Sequence, residues 1–347
     1  MKVLCKSLDL VQQIRDSGFE HNCIVDNLRV LGVDFGSNEV PSIVKREEVA
    51  QTIWRRLALL PVSMAQKRSL FRSRAVPLLT WGWWLVSPQI GFCKTWMGNM
   101  KTAVCNLNNL ASNELWHILE GHWTDPMFIS GQEAVKNYFR AEKFWHDQGF
   151  VFGNCKWATR VAEFLHDFGF QKLDNGLWRL HTITFDFRCD DAIFKATLNH
   201  FAHSLREAFR HQQMLGFVAS SRRDAREIVT DFVYDPKVLT AASKLYKQAN
   251  SHQRAVMLGA ALSPAAYDKI ADREVSTRCI LCGQCRTPDW RHVAWDCMHF
   301  HGTRPPEPHC SLQKRLDWPS MGRYDLMTLK HLAAVRRVCL EQVGFRR

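Results

Sequence analysis

Cys279, Cys282, His292 and Cys297 have the residue types and the spacing of a metal-ligating set, C-x2-C-x9-H-x4-C. Thiolates and a neutral imidazole suit Zn²⁺. The short first loop lets Cys279 and Cys282 grip one side of an ion, and His292 and Cys297 lie about one helical turn apart on the other. Four protein ligands leave no open position for a reactive water, so the pattern reads as a structural zinc knuckle rather than a hydrolytic centre. Cys285 offers an alternate third thiolate through C-x2-C-x2-C, and Cys310, His299, His301 and His309 supply further donors nearby. Buried apolar thiols grouped by chance are the bland alternative.

A chain of 347 residues with 46% hydrophobic content and 13 Trp can bury two or more substantial cores and is not disordered. Its formal charge of +12 and pI near 9.2 imply a surface that attracts polyanions. Twelve cysteines without a repeat, behind an N-terminus lacking a long apolar core, suggest a reducing compartment, nuclear or cytoplasmic, without disulfides or a signal peptide. The uncharged run from 75 to 93 raises the question of a membrane span. Pro77, Gly82, Pro88 and Gly91 within it favour a buried helix followed by a turn, and no membrane partner is expected.

The elements that must position these residues are mostly helical. Residues 24 to 36 suit a short strand or hairpin. A helix is expected over 42 to 60 with Val49, Ile53, Leu57 and Leu60 on one face and Arg55 and Arg56 turned away. A second is expected over 64 to 79, with Phe71, Ala75 and Leu78 inward and Lys67, Arg68, Arg72 and Arg74 largely outward. From 43 to 77 there are eight Lys or Arg against two Glu, a net of +6 and the densest long basic stretch. It serves either as a phosphate-contacting surface or as a solvated helical face. Residues 96 to 260 are helical by period, with Leu198, Phe201, Leu205 and Phe209 along one face and a strand-like insert from 180 to 187. Beyond the cysteines, Arg304-Pro-Pro-Glu-Pro reads as a rigid connector, and 325 to 343 as a terminal helix carrying Lys330, Arg336 and Arg337.

In this order the residues resemble the C-terminal portion of a non-LTR (LINE-type) retrotransposon reverse transcriptase. Leu28-Arg-Val-Leu-Gly-Val-Asp-Phe, with Leu31-Gly32-Val33 at its core, is similar to the strand-turn of the primer grip that closes the palm. Leu57-Ala-Leu-Leu-Pro-Val-Ser-Met-Ala-Gln-Lys-Arg with Ala75-Val-Pro-Leu-Leu-Thr-Trp-Gly looks like the thumb, and the C-terminal knuckle is a family hallmark. The resemblance implies a mainly α fold: a β remnant of the palm over 1 to 40, thumb-like helices over 41 to 95, a helical connector over 96 to 260, the knuckle over 261 to 303 and a basic tail helix over 304 to 347.

Polymerase chemistry needs palm carboxylates that hold two metal ions. In the family these precede the primer grip, and here only about thirty residues do. The one Asp-Asp pair, Asp190-Asp191, comes far downstream and suits a helix cap or solvated turn. No catalytic residue is therefore assigned, and neither a P-loop nor an H-E-x-x-H arrangement is present. The expected function is gripping RNA, DNA or a template-primer duplex, with no small-molecule substrate. Arg55, Arg56, Lys67, Arg68, Arg72 and Arg74 would track phosphates, while Trp290, Arg291 and Arg286 would stack on unpaired bases, with packing against the zinc loop as the alternative for Trp290. Two alternatives are a host-domesticated, zinc-stabilised interaction scaffold, and the C-terminal part of an active RNA-directed DNA polymerase whose palm lies upstream.

Overall fold

The structure is a computed structural model. It describes residues 3–4, 24–25, 27–30, 33–36, 41–80, 90–105, 111–149, 156–174, 176–220, 235–284, 286–309, 311–316, 318 and 326–342. The protein is mainly α, with one three-stranded antiparallel sheet and two small strand pairs among the described residues. In chain order the elements are β1 (Val3–Leu4), β2 (Ile24–Val25), β3 (Asn27–Val30), β4 (Val33–Gly36), α1 (Pro41–Leu59), α2 (Met64–Leu70), α3 (Val76–Thr80), α4 (Ile90–Cys105), α5 (Asn113–Glu120), α6 (Pro126–Asp147), α7 (Lys156–Asp167), β5 (Gln171–Lys172), β6 (Trp178–Leu180), β7 (Ile183–Phe185), α8 (Asp191–Ala219), α9 (Pro236–Gln248), α10 (Ser251–Met257), α11 (Pro264–Ile270), α12 (Ser311–Leu316) and α13 (Leu326–Gln342). They form two units that interleave along the chain: Met1–Cys105 with Asp125–Leu198, and Asn106–Thr124 with Asn199–Arg347.

In the first unit, β3 and β4 make the expected hairpin, pairing Leu28 with Phe35 and Val30 with Val33. Leu31 and Gly32, the core of the primer-grip-like turn, lie outside the described residues. Trp96 of α4 is fully buried and collects Trp54 of α1 and Phe71 edge-on at 5.8 and 5.6 Å. Such edge-to-face contacts suit the aromatic quadrupole. The inward residues of α1 are Trp54 and Leu57. Val49 and Leu60, expected on that face, are 44% and 38% exposed. A π-helical turn, Phe71–Ala75, joins α2 to α3, so the expected second helix runs on to Thr80 with one residue of extra winding.

Ala75, Val76, Phe92 and Cys93, at the two ends of the long uncharged run, are buried. Among the described residues no helix is long and apolar enough to cross a membrane. On the other side of this unit, Asp125 caps α6 by accepting from the N–H groups of Met127 and Phe128, with Pro126 beginning the helix. The strand-like insert expected over 180 to 187 holds β7 and only the last residue of β6, which begins at Trp178 and pairs with β5. Just past β7, Phe187 stacks on Phe139 of α6 with ring centres 3.7 Å apart.

The second unit is built around α5, which buries Leu115, Trp116, Ile118 and Leu119. Ser243 of α9 donates to the carbonyl of Ile118 at 3.2 Å. In α8 the expected face is buried: Leu198 at the end of the first unit, then Phe201, Leu205 and Phe209 in the second. The terminal helix α13 packs against α10, and it is part of the core rather than a solvated tail. Its Leu329, Leu332, Val335 and Cys339 are fully buried, and Arg336 is buried against Nδ1 of His252 at 2.8 Å.

Candidate metal centre

Cys279, Cys282, His292 and Cys297 converge in the second unit, their ligand atoms all within 4.8 Å of one another. The first pair sits on a tight loop. The Gly283 N–H donates to the carbonyl of Cys279 at 2.8 Å, and the Cys279 N–H donates to the carbonyl of Gln284 at 3.0 Å. Gly283 adopts φ +72°, which only a residue without a Cβ takes at no cost, and this turns both sulfurs to the same side. The second pair is placed by another π-helical turn, His292–Asp296, closed by the Cys297 N–H on the carbonyl of His292 at 2.6 Å. Asp289 caps that turn by accepting from the His292 N–H at 2.8 Å.

Cys279 Sγ and Cys297 Sγ are 3.9 Å apart, and Cys282 Sγ lies 3.5 Å from His292 Nε2. With bonds of about 2.3 Å to sulfur and 2.0 Å to nitrogen, tetrahedral Zn²⁺ separates two thiolates by about 3.8 Å and a thiolate from an imidazole nitrogen by about 3.5 Å. The donor set can therefore hold a metal ion and is compatible with zinc. Among the described residues it is the one group of three or more metal-ligating side chains so gathered. His299, His301 and His309 are exposed and stand apart from it, and Cys285 and Cys310 lie outside the described residues.

The electrostatics favour the ligand form at two of the four residues. Burial, with Arg286 adding to it, holds the His292 imidazole below its ordinary range and so favours the neutral, metal-binding form. Burial alone would raise the Cys282 thiol. The backbone N–H groups of Gln284 and Met298, together with the neighbouring thiols, reverse that and lower it. Burial pushes Cys297 up to about 12 despite the His299 backbone N–H, so metal binding there must displace a firmly held proton.

Several residues that hold the site had no signature in the sequence. Arg304, read only as the start of a connector, donates from its two terminal nitrogens to the carbonyls of Trp295 and Cys297. His331 of α13 donates from Nε2 to the carbonyl of Ala294 at 2.7 Å, its ring against Trp295 and Phe300. Arg315 of α12 covers Trp290. Each comes from a segment distant in sequence or separated by prolines, and no local pattern announces it.

Three of the expected nucleic-acid contacts need correction in placement. Trp290 is 5% exposed, its face taken by Arg315, so the ring packs within the unit and is not offered to a base. Lys67 and Arg68 are 8% and 9% exposed. Lys67 turns back across the α1–α2 connection and its ammonium donates to the carbonyl of Ala58 at 3.0 Å, satisfying one of the last carbonyls of α1. Arg55, Arg56, Arg72 and Arg74 are exposed as expected. Arg286 and Arg291 are also exposed. Asp296 lies 3.2 Å from Arg286 and 3.9 Å from Arg291, and Glu307 lies 3.7 Å from Arg291. Asp190 and Asp191 are both exposed at the start of α8, with Asp191 3.2 Å from the Lys143 ammonium.

No family model, curated protein or solved structure matches this chain.

Proposed function

We propose that this chain is a nucleic-acid-binding portion of a LINE-type reverse transcriptase, in which a structural zinc knuckle and a basic helical region grip a template-primer without polymerising it. The observation that carries the reading is the closed set of three thiols and one imidazole at zinc distances. Four protein donors leave no coordination position for substrate, so zinc here would stabilise and orient. Support comes also from the +12 charge and from four exposed arginines, Arg55, Arg56, Arg72 and Arg74, on α1 and on the π-helical turn of the thumb-like region. These are the phosphate contacts; Lys67 and Arg68 serve the fold.

The test is binding of the zinc-loaded chain to a labelled RNA–DNA duplex at two salt concentrations, beside a variant with all four arginines changed to Glu. Each phosphate contact contributes about 0.9 to the slope of log affinity against log salt. Steep salt dependence, flattened in the variant, is the expected result. Absence of binding at low salt would sink the proposal.

A second reading is a zinc-stabilised interaction scaffold. It is favoured by the way Arg304, Arg315 and His331 tie the metal loop into the core of its unit. A scaffold would keep its metal-dependent stability and show no salt-sensitive affinity for the duplex.

A further inference from the structure

Helices α1 and α4 pack against each other in the first unit and leave a groove of about 340 Å³ lined by Gln51, Trp54, Arg55, Ala58, Asn99 and Thr102. Helical spacing dictates this lining. Gln51 and Arg55 are four residues apart, as are Trp54 and Ala58, and Asn99 and Thr102 are three apart, so each pair shares a face. Trp54 is 3% exposed and is held edge-on by Trp96. Its indole N–H is buried and finds no acceptor among the described residues. A buried donor left without a partner is costly, and with almost no accessible surface this one serves as a reporter of the groove rather than as a contact for what enters it.

The remaining lining restricts what can enter. Among the described residues it holds one guanidinium and no carboxylate. Arg55 is exposed and forms no ion pair among the described residues, so its charge is available to an anion. Gln51 and Asn99 each present a donor and an acceptor on one planar amide, the pairing that matches the edge of a nucleobase. Thr102 already donates to the carbonyls of Gly98 and Asn99 at 3.2 and 3.1 Å, so towards the groove its hydroxyl oxygen is left to accept. The Arg55 charge disfavours a cationic ligand and the polar groups disfavour a wholly apolar one, while an anion with a hydrogen-bonding ring finds both partners, in a volume at the small end of ligand pockets.

We propose that this groove receives a single unstacked nucleotide of a bound strand, with its phosphate on Arg55 and its base edge between Gln51 and Asn99. The choice of ligand rests on the nucleic-acid reading above. The groove would supply a pocket contact distinct from phosphate tracking.

The experiment titrates the zinc-loaded full chain with AMP, GMP, CMP and UMP, and separately with inorganic phosphate, following the Trp54 indole N–H resonance assigned through Trp54→Phe. At least one mononucleotide should saturate and shift that resonance, and phosphate alone should bind more weakly. Arg55→Ala removes a charge-assisted hydrogen bond and should weaken binding by roughly tenfold or more. Ala58→Leu enlarges an exposed helical residue that lines the groove and should abolish binding with an unchanged melting temperature. Failure of every mononucleotide to saturate, affinity untouched by both variants, or phosphate binding as tightly as a nucleotide would each overturn the proposal. If mononucleotides fail while duplex binding stays salt-sensitive, the groove inference falls and the proposed function stands. If both fail, both fall.

Discussion

The guanidinium of Arg315 lies 4.7 Å from the centre of the Trp290 ring, and it donates to the carbonyl of Ala261 at 2.9 Å. One side chain thus covers the aromatic next to a metal ligand and ties it to a segment thirty residues earlier. Arg315→Ala should lose a desolvated cation–π contact and a charged hydrogen bond, a destabilisation of about 2 to 4 kcal/mol. Arg315→Lys should recover only part of this, since an ammonium cannot both stack and reach the carbonyl. Thermal denaturation of the zinc-loaded chain measures it, and a melting temperature unchanged in Arg315→Ala would contradict the packing role given to Trp290.

Metal removal has a defined location. Because the site is closed, chelation should release hydrogen-exchange protection around 277–303 and in the helix α13 that His331 links to it, leaving α6 and α7 of the other unit protected. Cys279→Ser and Cys297→Ser should mimic chelation, and a zinc titration of each variant would show the lost affinity directly. Uniform loss of protection across both units would count against a local structural role.

Lys67 and the exposed arginines should separate in their effects. Lys67→Met deletes the bond to the Ala58 carbonyl and should cost about 1 to 3 kcal/mol of stability, with the salt slope of duplex binding unchanged. Arg72→Glu should do the reverse, leaving stability within about 0.5 kcal/mol and flattening the slope. Parallel denaturant unfolding and binding titrations distinguish them.

At Gly131 the helices α6 and α7 approach so closely that a Cβ would sit 2.1 Å from the Phe164 ring. Alanine normally gains about 1 kcal/mol over glycine inside a helix. Here the clash should outweigh that gain and destabilise by about 1 to 3 kcal/mol, a sign reversal that a single chemical-denaturation curve of Gly131→Ala resolves.

His331 should make the second unit acid-sensitive. Burial holds its imidazole below the ordinary value, with Arg304 acting the same way and the Ala294 carbonyl opposing. A depressed histidine is neutral in the folded chain while the unfolded chain takes up the proton. Its contribution is therefore complete above the unfolded value of about 6.5 and is lost as pH falls towards the folded value. His331→Gln keeps a donor for the carbonyl without a titrating group and should flatten this part of the stability profile. Comparing the two proteins at saturating zinc from pH 7.5 to 5.5 isolates it from metal loss, and coincident profiles would exclude His331 as the source.

What was legible in the sequence was local. Cys279 to Cys297 span a short loop and one turn, so their spacing carries the site, and the alternation from Leu28 to Phe35 carries the hairpin. The face of α8 was readable because Leu198, Phe201, Leu205 and Phe209 keep helical period for three turns. Lys67 was misplaced because a long cationic side chain buries its stem when a carbonyl awaits the ammonium, and that carbonyl belongs to another helix. Trp290 was left open between stacking on a base and packing against the zinc loop, because a ring two residues from a metal ligand reads alike whether solvent or Arg315 covers it. The π-helical turns at Phe71–Ala75 and His292–Asp296 left no compositional trace, because one extra residue of winding is set by packing and not by residue type.

The bond from Ser243 to the Ile118 carbonyl joins residues 125 positions apart, and the stretch between them returns to the first unit before the second is finished. During synthesis α5 therefore emerges before the later helices of its unit, and its cover is completed only when α9 has left the ribosome. At about 5 to 20 residues per second that is a delay of several seconds or more. The nascent chain thus carries an incompletely covered apolar helix while about 125 further residues are made, a window suited to capture by a chaperone. The same interleaving means that a contiguous fragment ending near residue 200 would leave α5 without its partners.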